Sequence, residues 1–180
     1  MKLLRTIRLD PSDTFVFERA AEPGEWAVSG AFIFWDDDPA EMSGKKRNAF
    51  RSGFLGVGSL GWSTLVQIVE AKDEDRTAVV EALARRLVEN FGAPDLDAAR
   101  RAAEEEVAFA ESLCDHPADT LVAIHRAIED GAIREAFRTL RPREGQKPSL
   151  RAFAFHEVEG DEEQVEEVVD LVGLAKEKIR

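Results

Sequence analysis

At Asp73 the apolar residues of this chain change their spacing, and that change constrains the fold more than any other feature. Before it they follow the two-residue period of strands. After it they recur every three or four residues, the period of a helix with one buried stripe. A chain that is strand-rich first and helical later belongs with segregated rather than alternating architectures.

Within the first part, Leu3 to Leu9 predicts a strand with Leu3, Ile7 and Leu9 on one parity, ended by the turn residues Asp10-Pro11-Ser12-Asp13. Thr14 to Phe17 predicts a second strand. Trp26 to Trp35 predicts a third, with Trp26, Val28, Phe32 and Phe34 on one face and Ala31, Ile33 and Trp35 on the other. A strand apolar on both faces is expected to be covered on both. Ser43 to Phe54 suits a short helix bearing Lys45, Lys46, Arg47 and Arg51, and Trp62 to Val69 suits a buried strand.

From Asp73, the stripe Val79, Val80, Leu83, Leu87 and Phe91 predicts a helix stopped by Gly92. Asp95 is placed to cap a second helix striped by Leu96, Ala99, Ala103, Val107, Ala110 and Leu113. Leu121, Ile124 and Ile128 suggest a third, and Ile133 to Leu140 a further segment after the break at Asp130-Gly131. Arg141 to Pro148 has loop composition. Leu150 to Val158 alternates as a strand, and a closing helix is expected from Asp161 to Ile179. The expected fold is α+β, with a mostly antiparallel or mixed sheet of about five to six strands packed on about four to five helices. It is expected as a single domain over 1–180, strand-rich over 1–71, helical over 72–141 and strand–helix over 150–180.

Charge removes several partner classes. The chain carries 24 Lys+Arg against 36 Asp+Glu, a formal net charge of -12. Such a field repels nucleic acid and anionic membrane surfaces at long range, so neither is expected as a partner. The N-terminal residues interleave charges and lack the apolar core of a secretion signal, and no stretch approaches the ~20 residues of a membrane helix. Cys114 is the only cysteine, which excludes an intrachain disulfide and a cysteine-rich metal site. A cytoplasmic location is expected, with no cofactor and no metal.

Gly56-Val57-Gly58-Ser59-Leu60-Gly61 matches the dinucleotide pattern G-x-G-x-x-G. That chemistry needs a strand before the glycines and a helix beginning within them, because the pyrophosphate sits on the helix N-terminus. Here a strand follows instead, so a bulge or close backbone approach is the expected use. Gly44-Lys45-Lys46 lacks the upstream glycine of a phosphate loop. Asp36-Asp37-Asp38 with Glu41 offers hard oxygen ligands in a spacing that fits no EF-hand. Cys114 and His116, with Asp119, invite a thiolate–imidazole reading, but Cys114 continues an apolar stripe and is expected in the core. His125 and His156 stand alone. The strongest local positive patch is Lys45, Lys46, Arg47 and Arg51. A ligand site would there use Lys45, Arg47 and Arg51 to grip an anionic group and Trp62 to stack on a ring.

The runs Lys2 to Asp10, Trp26 to Phe32, Ala49 to Gly56 and Gly61 to Thr64 together resemble a family of small conserved alphaproteobacterial proteins with no assigned function. The resemblance covers about the first 70 residues and supplies no catalytic residues. It implies an accessory role beside redox or cofactor-bearing enzymes. The leading expectation is a non-catalytic accessory or protein-binding protein, present as a homodimer and offering a surface to another protein. The alternative is a small enzyme or small-molecule-binding protein with an anion-accepting site around residues 45–62.

Overall fold

Eight strands make one sheet: β1 (Lys2–Ile7), β2 (Trp26–Val28), β3 (Phe54–Gly56), β4 (Trp62–Ser63), β5 (Leu65–Glu70), β6 (Leu121–Glu129), β7 (Ala132–Pro142) and β8 (Phe155–Glu157). They belong to a computed structural model that describes residues 1–142 and 155–157. The strand order is β4-β3-β2-β1-β5-β6-β7-β8, with every neighbouring pair antiparallel. The α+β class is therefore as expected, while the strand number is higher than the five to six anticipated.

The difference comes from β3, which no expected strand covered, and from two corrections. The segments read as helices around Leu121 to Ile128 and Ile133 to Leu140 are the long hairpin β6–β7, paired from Leu121↔Leu140 to Glu129↔Ala132. Its turn is Asp130-Gly131, both at positive φ (51° and 76°), the backbone that joins twisted strands most directly. The expected helical part 72–141 thus ends, as helix, at Ser112. The Trp62–Val69 strand is in fact two. Thr64 leaves the ladder because its N–H and hydroxyl both donate to the Asp13 carboxylate, at 3.1 and 2.6 Å.

Two further expectations near the N-terminus change. Thr14 to Phe17 is no strand; Asp13–Val16 forms the single helical turn α1. Trp26 to Trp35 stops being a strand at Val28, because Gly30 adopts a left-handed φ of 78° and sends the chain into a 3-10 turn, Ala31–Phe34. A Cβ on Gly30 would lie 2.6 Å from Leu55 Cβ, so the same residue also allows β3 to approach.

Helices α2 (Gly44–Ser52), α3 (Asp73–Phe91) and α4 (Leu96–Ser112) follow the sequence pattern. Asp75 accepts the Lys72 N–H at 2.9 Å and Asp95 accepts the Ala98 N–H at 2.7 Å, which satisfies donors orphaned at the two helix starts. Val79, Val80, Leu83 and Leu87 of α3, and Ala99, Ala103, Val107 and Ala110 of α4, are buried. These join sheet residues Leu4, Val28, Leu55, Ile68 and Ile124 and α2 residues Ala49 and Phe50 in one contiguous cluster. Each fully buried large apolar side chain contributes about 1.5–3 kcal/mol. The expected closing helix at 161–179 lies outside the described residues.

Candidate functional site

Along β6 the residues Val122, Ile124 and Arg126 alternate inward, so a guanidinium occupies a position that a hydrophobe would normally take. Arg126 is only 1% exposed. Its Nη1 donates to the carbonyls of Phe50 (3.0 Å), Gly53 (2.8 Å) and Ala49 (3.4 Å), the last turn and end of α2. Its Nη2 donates to the Ser29 carbonyl and, at 3.1 Å, to Ser29 Oγ. Its Nε donates to Glu135 Oε1 of β7 at 2.7 Å, and the Ser29 hydroxyl donates to the same oxygen. A cation is thus used as the C-cap of α2, where helix carbonyls lack partners and the dipole favours positive charge. Burial lowers the Arg126 pKa from its ordinary value, and Glu135 opposes that shift.

A third charge makes the cluster incomplete. Glu106 of α4 is pushed up to about 7, first by burial and then by the Glu135 carboxylate, with Arg126 and the Gly30 N–H opposing. One guanidinium serves two carboxylates, and Glu135 has the direct ion pair. Glu106 Oε2 is buried with no hydrogen-bond partner among the described residues.

Glu106 also lines a cleft of about 440 Å³ with Phe32, Ile33, Trp35, Asp36, Asp37, Leu87, Phe91, Ala102 and Glu105. The 3-10 turn and the residues just after it supply one wall, and α3 and α4 supply the other. Phe32 meets Phe91 edge-on, ring centroids 5.4 Å apart, which ties the two walls together. Trp35 is 82% exposed at the rim, whereas the strand reading had assigned it to a buried face. Among the described residues, every ionisable side chain lining this cleft is acidic. The arrangement suits a cation with an apolar or flat body: carboxylates attract the charge, and aromatic faces take the stem or the plane.

Asp36 and Asp37 of the acidic run noted in the sequence line this cleft, whereas the residues expected to bind an anion lie elsewhere. Lys45, Lys46, Arg47 and Arg51 are exposed on α2, and Lys46 pairs with Asp37 at 2.5 Å. Trp62 is 9% exposed, stacked on Phe34 with centroids 5.2 Å apart, and packs against Gly53. None of these five lines the cleft. Asp38 accepts the Ala40 N–H at 2.9 Å in ordinary turn chemistry.

In the glycine-rich loop the Glu25 carboxylate accepts the Ser59 N–H at 2.7 Å and the Ser59 hydroxyl at 2.5 Å. A Cβ on Gly56 or Gly58 would collide with that carboxylate, and one on Gly61 would sit 2.5 Å from the Ala20 carbonyl. The glycines therefore serve close approach within the chain, as the strand context implied. Cys114 is buried, its thiol pushed up to about 12 mainly by burial, and its Sγ donates to the Ala110 carbonyl at 3.4 Å. A thiol held protonated in this way is no ready nucleophile. His125 is exposed on β6, and His156 pairs with Arg141 along β8.

Arg126 and Glu106 were both missed from sequence. The available signal for Arg126 was the alternation Val122–Ile124–Arg126 running into Asp130-Gly131, a hairpin signature. Glu106 closes the run Glu104-Glu105-Glu106, and only the packing of the 3-10 turn beside α4 sets it apart.

The fold and site define an antiparallel α+β protein whose helical pair and a 3-10 turn enclose an acidic, aromatic cleft backed by a buried ion cluster. The chain belongs to the DUF6505 family, a family of unknown function, whose model matches residues 1–161. That agrees with the resemblance to an uncharacterised family. No curated protein and no solved structure matches the chain. Among the described residues, no helix is long and apolar enough to cross a membrane.

Proposed function

We propose that this protein is a non-catalytic accessory module that docks a partner protein through the cleft between the 3-10 turn and the α3–α4 pair. The observation that carries the reading is Trp35, a large aromatic 82% exposed at the rim of a cleft whose walls include the core residue Leu87 and, packed against the core, Phe32 and Ile33. Exposed aromatics flanking a pocket are the usual anchors of protein interfaces, where one such residue supplies 2 kcal/mol or more, by the order of magnitude of alanine scans. The reading places the protein in the cytoplasm as a homodimer.

Native mass spectrometry of protein purified gently from its own cells tests this. The expected result is a second polypeptide bound to the wild type and lost from Trp35→Ala, the melting temperature staying within about 2 °C because the side chain is solvated. A partner retained equally by Trp35→Ala contradicts the proposal.

The alternative of an anion-accepting small-molecule site on α2 draws support from the exposed Lys45, Arg47 and Arg51 on one nine-residue helix. The same spectra decide it. A small anion retained by the wild type and lost when Arg47 and Arg51 are both alanine favours that reading, with Trp62 acting beneath the helix rather than on the ligand.

A further inference from the structure

Resting on that docking reading, we infer that the cleft receives an arginine side chain of the partner, its guanidinium against Glu106 and its plane against the aromatic wall. Four carboxylates line the cleft, Asp36, Asp37, Glu105 and Glu106, and among the described residues no basic side chain lines it. Lys46 reaches Asp37 from α2, which leaves Asp36, Glu105 and Glu106 without a cation in the cleft among the described residues. Glu106 Oε2 is buried with no hydrogen-bond partner among the described residues. Burial of that oxygen leaves the Glu106 charge poorly compensated, so a cation held in the cleft stabilises the carboxylate through its field. The flat rings of Phe32, Trp35 and Phe91 on the same cleft favour a planar cation. Guanidinium meets both demands, because its fork donates to carboxylates while its face stacks on an aromatic ring. An ammonium is a compact, strongly hydrated charge that stacks poorly.

The charge state of the floor adds a pH signature. Glu106 faces Arg126 from β6 and Glu135 from β7, neighbours Glu105 on its own helix, and shares the cleft with Asp36 and Asp37. The Arg126 charge is already engaged by Glu135. Glu106 therefore carries a proton for much of the time near neutrality. A bound guanidinium displaces that proton, so binding strengthens as pH rises through about 7 and weakens below it.

The test uses the full chain and three probes at about 0.15 M salt, where long-range attraction to an acidic protein is screened. These are the blocked tripeptide acetyl-Gly-Arg-Gly-amide, its citrulline counterpart and free L-arginine, followed through the Trp35 indole N–H in two-dimensional NMR spectra. The arginine peptide is expected to shift that signal and to bind at least about tenfold more tightly than citrulline, which has the same shape without the charge. Glu106→Gln is expected to weaken it about tenfold, while Glu74→Gln, at the far end of α3 from the cleft, leaves it unchanged. Affinity should fall toward about tenfold per pH unit below the Glu106 midpoint. Equal binding of the citrulline peptide, or binding unaffected by Glu106→Gln, overturns the inference. So does tighter binding of free arginine than of the blocked peptide, which would identify a small-molecule ligand. Loss of a partner polypeptide from Trp35→Ala would survive the first two results, so failure of the arginine chemistry is separable from failure of docking.

Discussion

Arg126→Ala is expected to destabilise the protein by about 3–5 kcal/mol, the range for removing one partner of a buried ion pair. The loss has three physical parts. Glu135 loses its buried ion-pair partner, the carbonyls of Phe50, Gly53 and Ser29 lose donors, and α2 loses the guanidinium that caps its end. An unpaired buried carbonyl costs about 1–3 kcal/mol, so three of them reach the figure even at the low end of that range. Urea unfolding should show the loss as a lower midpoint with unchanged slope, and thermal unfolding as a fall of roughly 10 °C. Arg126→Lys should recover little, since one ammonium cannot serve α2, Ser29 and Glu135 together. Glu135→Gln in the Arg126→Ala background should recover part of the loss by removing the stranded charge. A loss below about 1 kcal/mol for Arg126→Ala would mean that water replaces the guanidinium at no cost, and the buried cluster would then hold nothing together.

The second large effect depends on pH and has the opposite sign. The Glu106 carboxyl is raised from 4.5 to about 7 in the folded state. A group raised on folding binds more protons folded than unfolded, so its contribution is fully present below pH 4.5 and is lost as pH rises to about 7. Glu106→Gln removes the penalty of the buried charge while keeping the shape. The variant should match the wild type at pH 4.5 and exceed it at pH 8 by up to about 3 kcal/mol, the full shift expressed as free energy. Partial exposure of the side chain will reduce the measured gain. Paired melts of the two proteins across pH isolate this group from the other acids of a chain with a net charge of -12. A difference that stays flat from pH 4.5 to 8 would show an ordinary, solvated glutamate.

How far the residues disclosed this arrangement depends on whether local or tertiary physics decided each element. Helices α3 and α4 were legible because caps and apolar stripes agree with one another at Asp75, Asp95, Val79–Leu87 and Ala99–Ala110. The hairpin β6–β7 was misread because Leu121, Ile124 and Ile128 also fit a helical stripe, and Arg126 hid the alternation by putting a charge on the buried face. Trp26 to Trp35 alternates well enough for a strand, yet Gly30 turns the chain and leaves Trp35 in solvent. The glycine-rich loop was judged correctly from context, since its neighbours were in the wrong order for a phosphate site. The cleft was invisible for a simpler reason. Phe32, Glu106 and Phe91 lie on three separate elements, and their meeting is a product of packing that no local pattern contains.

The most direct test of a cation-accepting cleft is the titration of the Glu106 side-chain carboxyl by carbon-13 NMR, with and without the blocked arginine tripeptide. The account predicts a midpoint near 7 in the free protein that moves down by about a unit or more when the peptide is present. A free-protein midpoint in the ordinary glutamate range, or one that the peptide leaves in place, would contradict it.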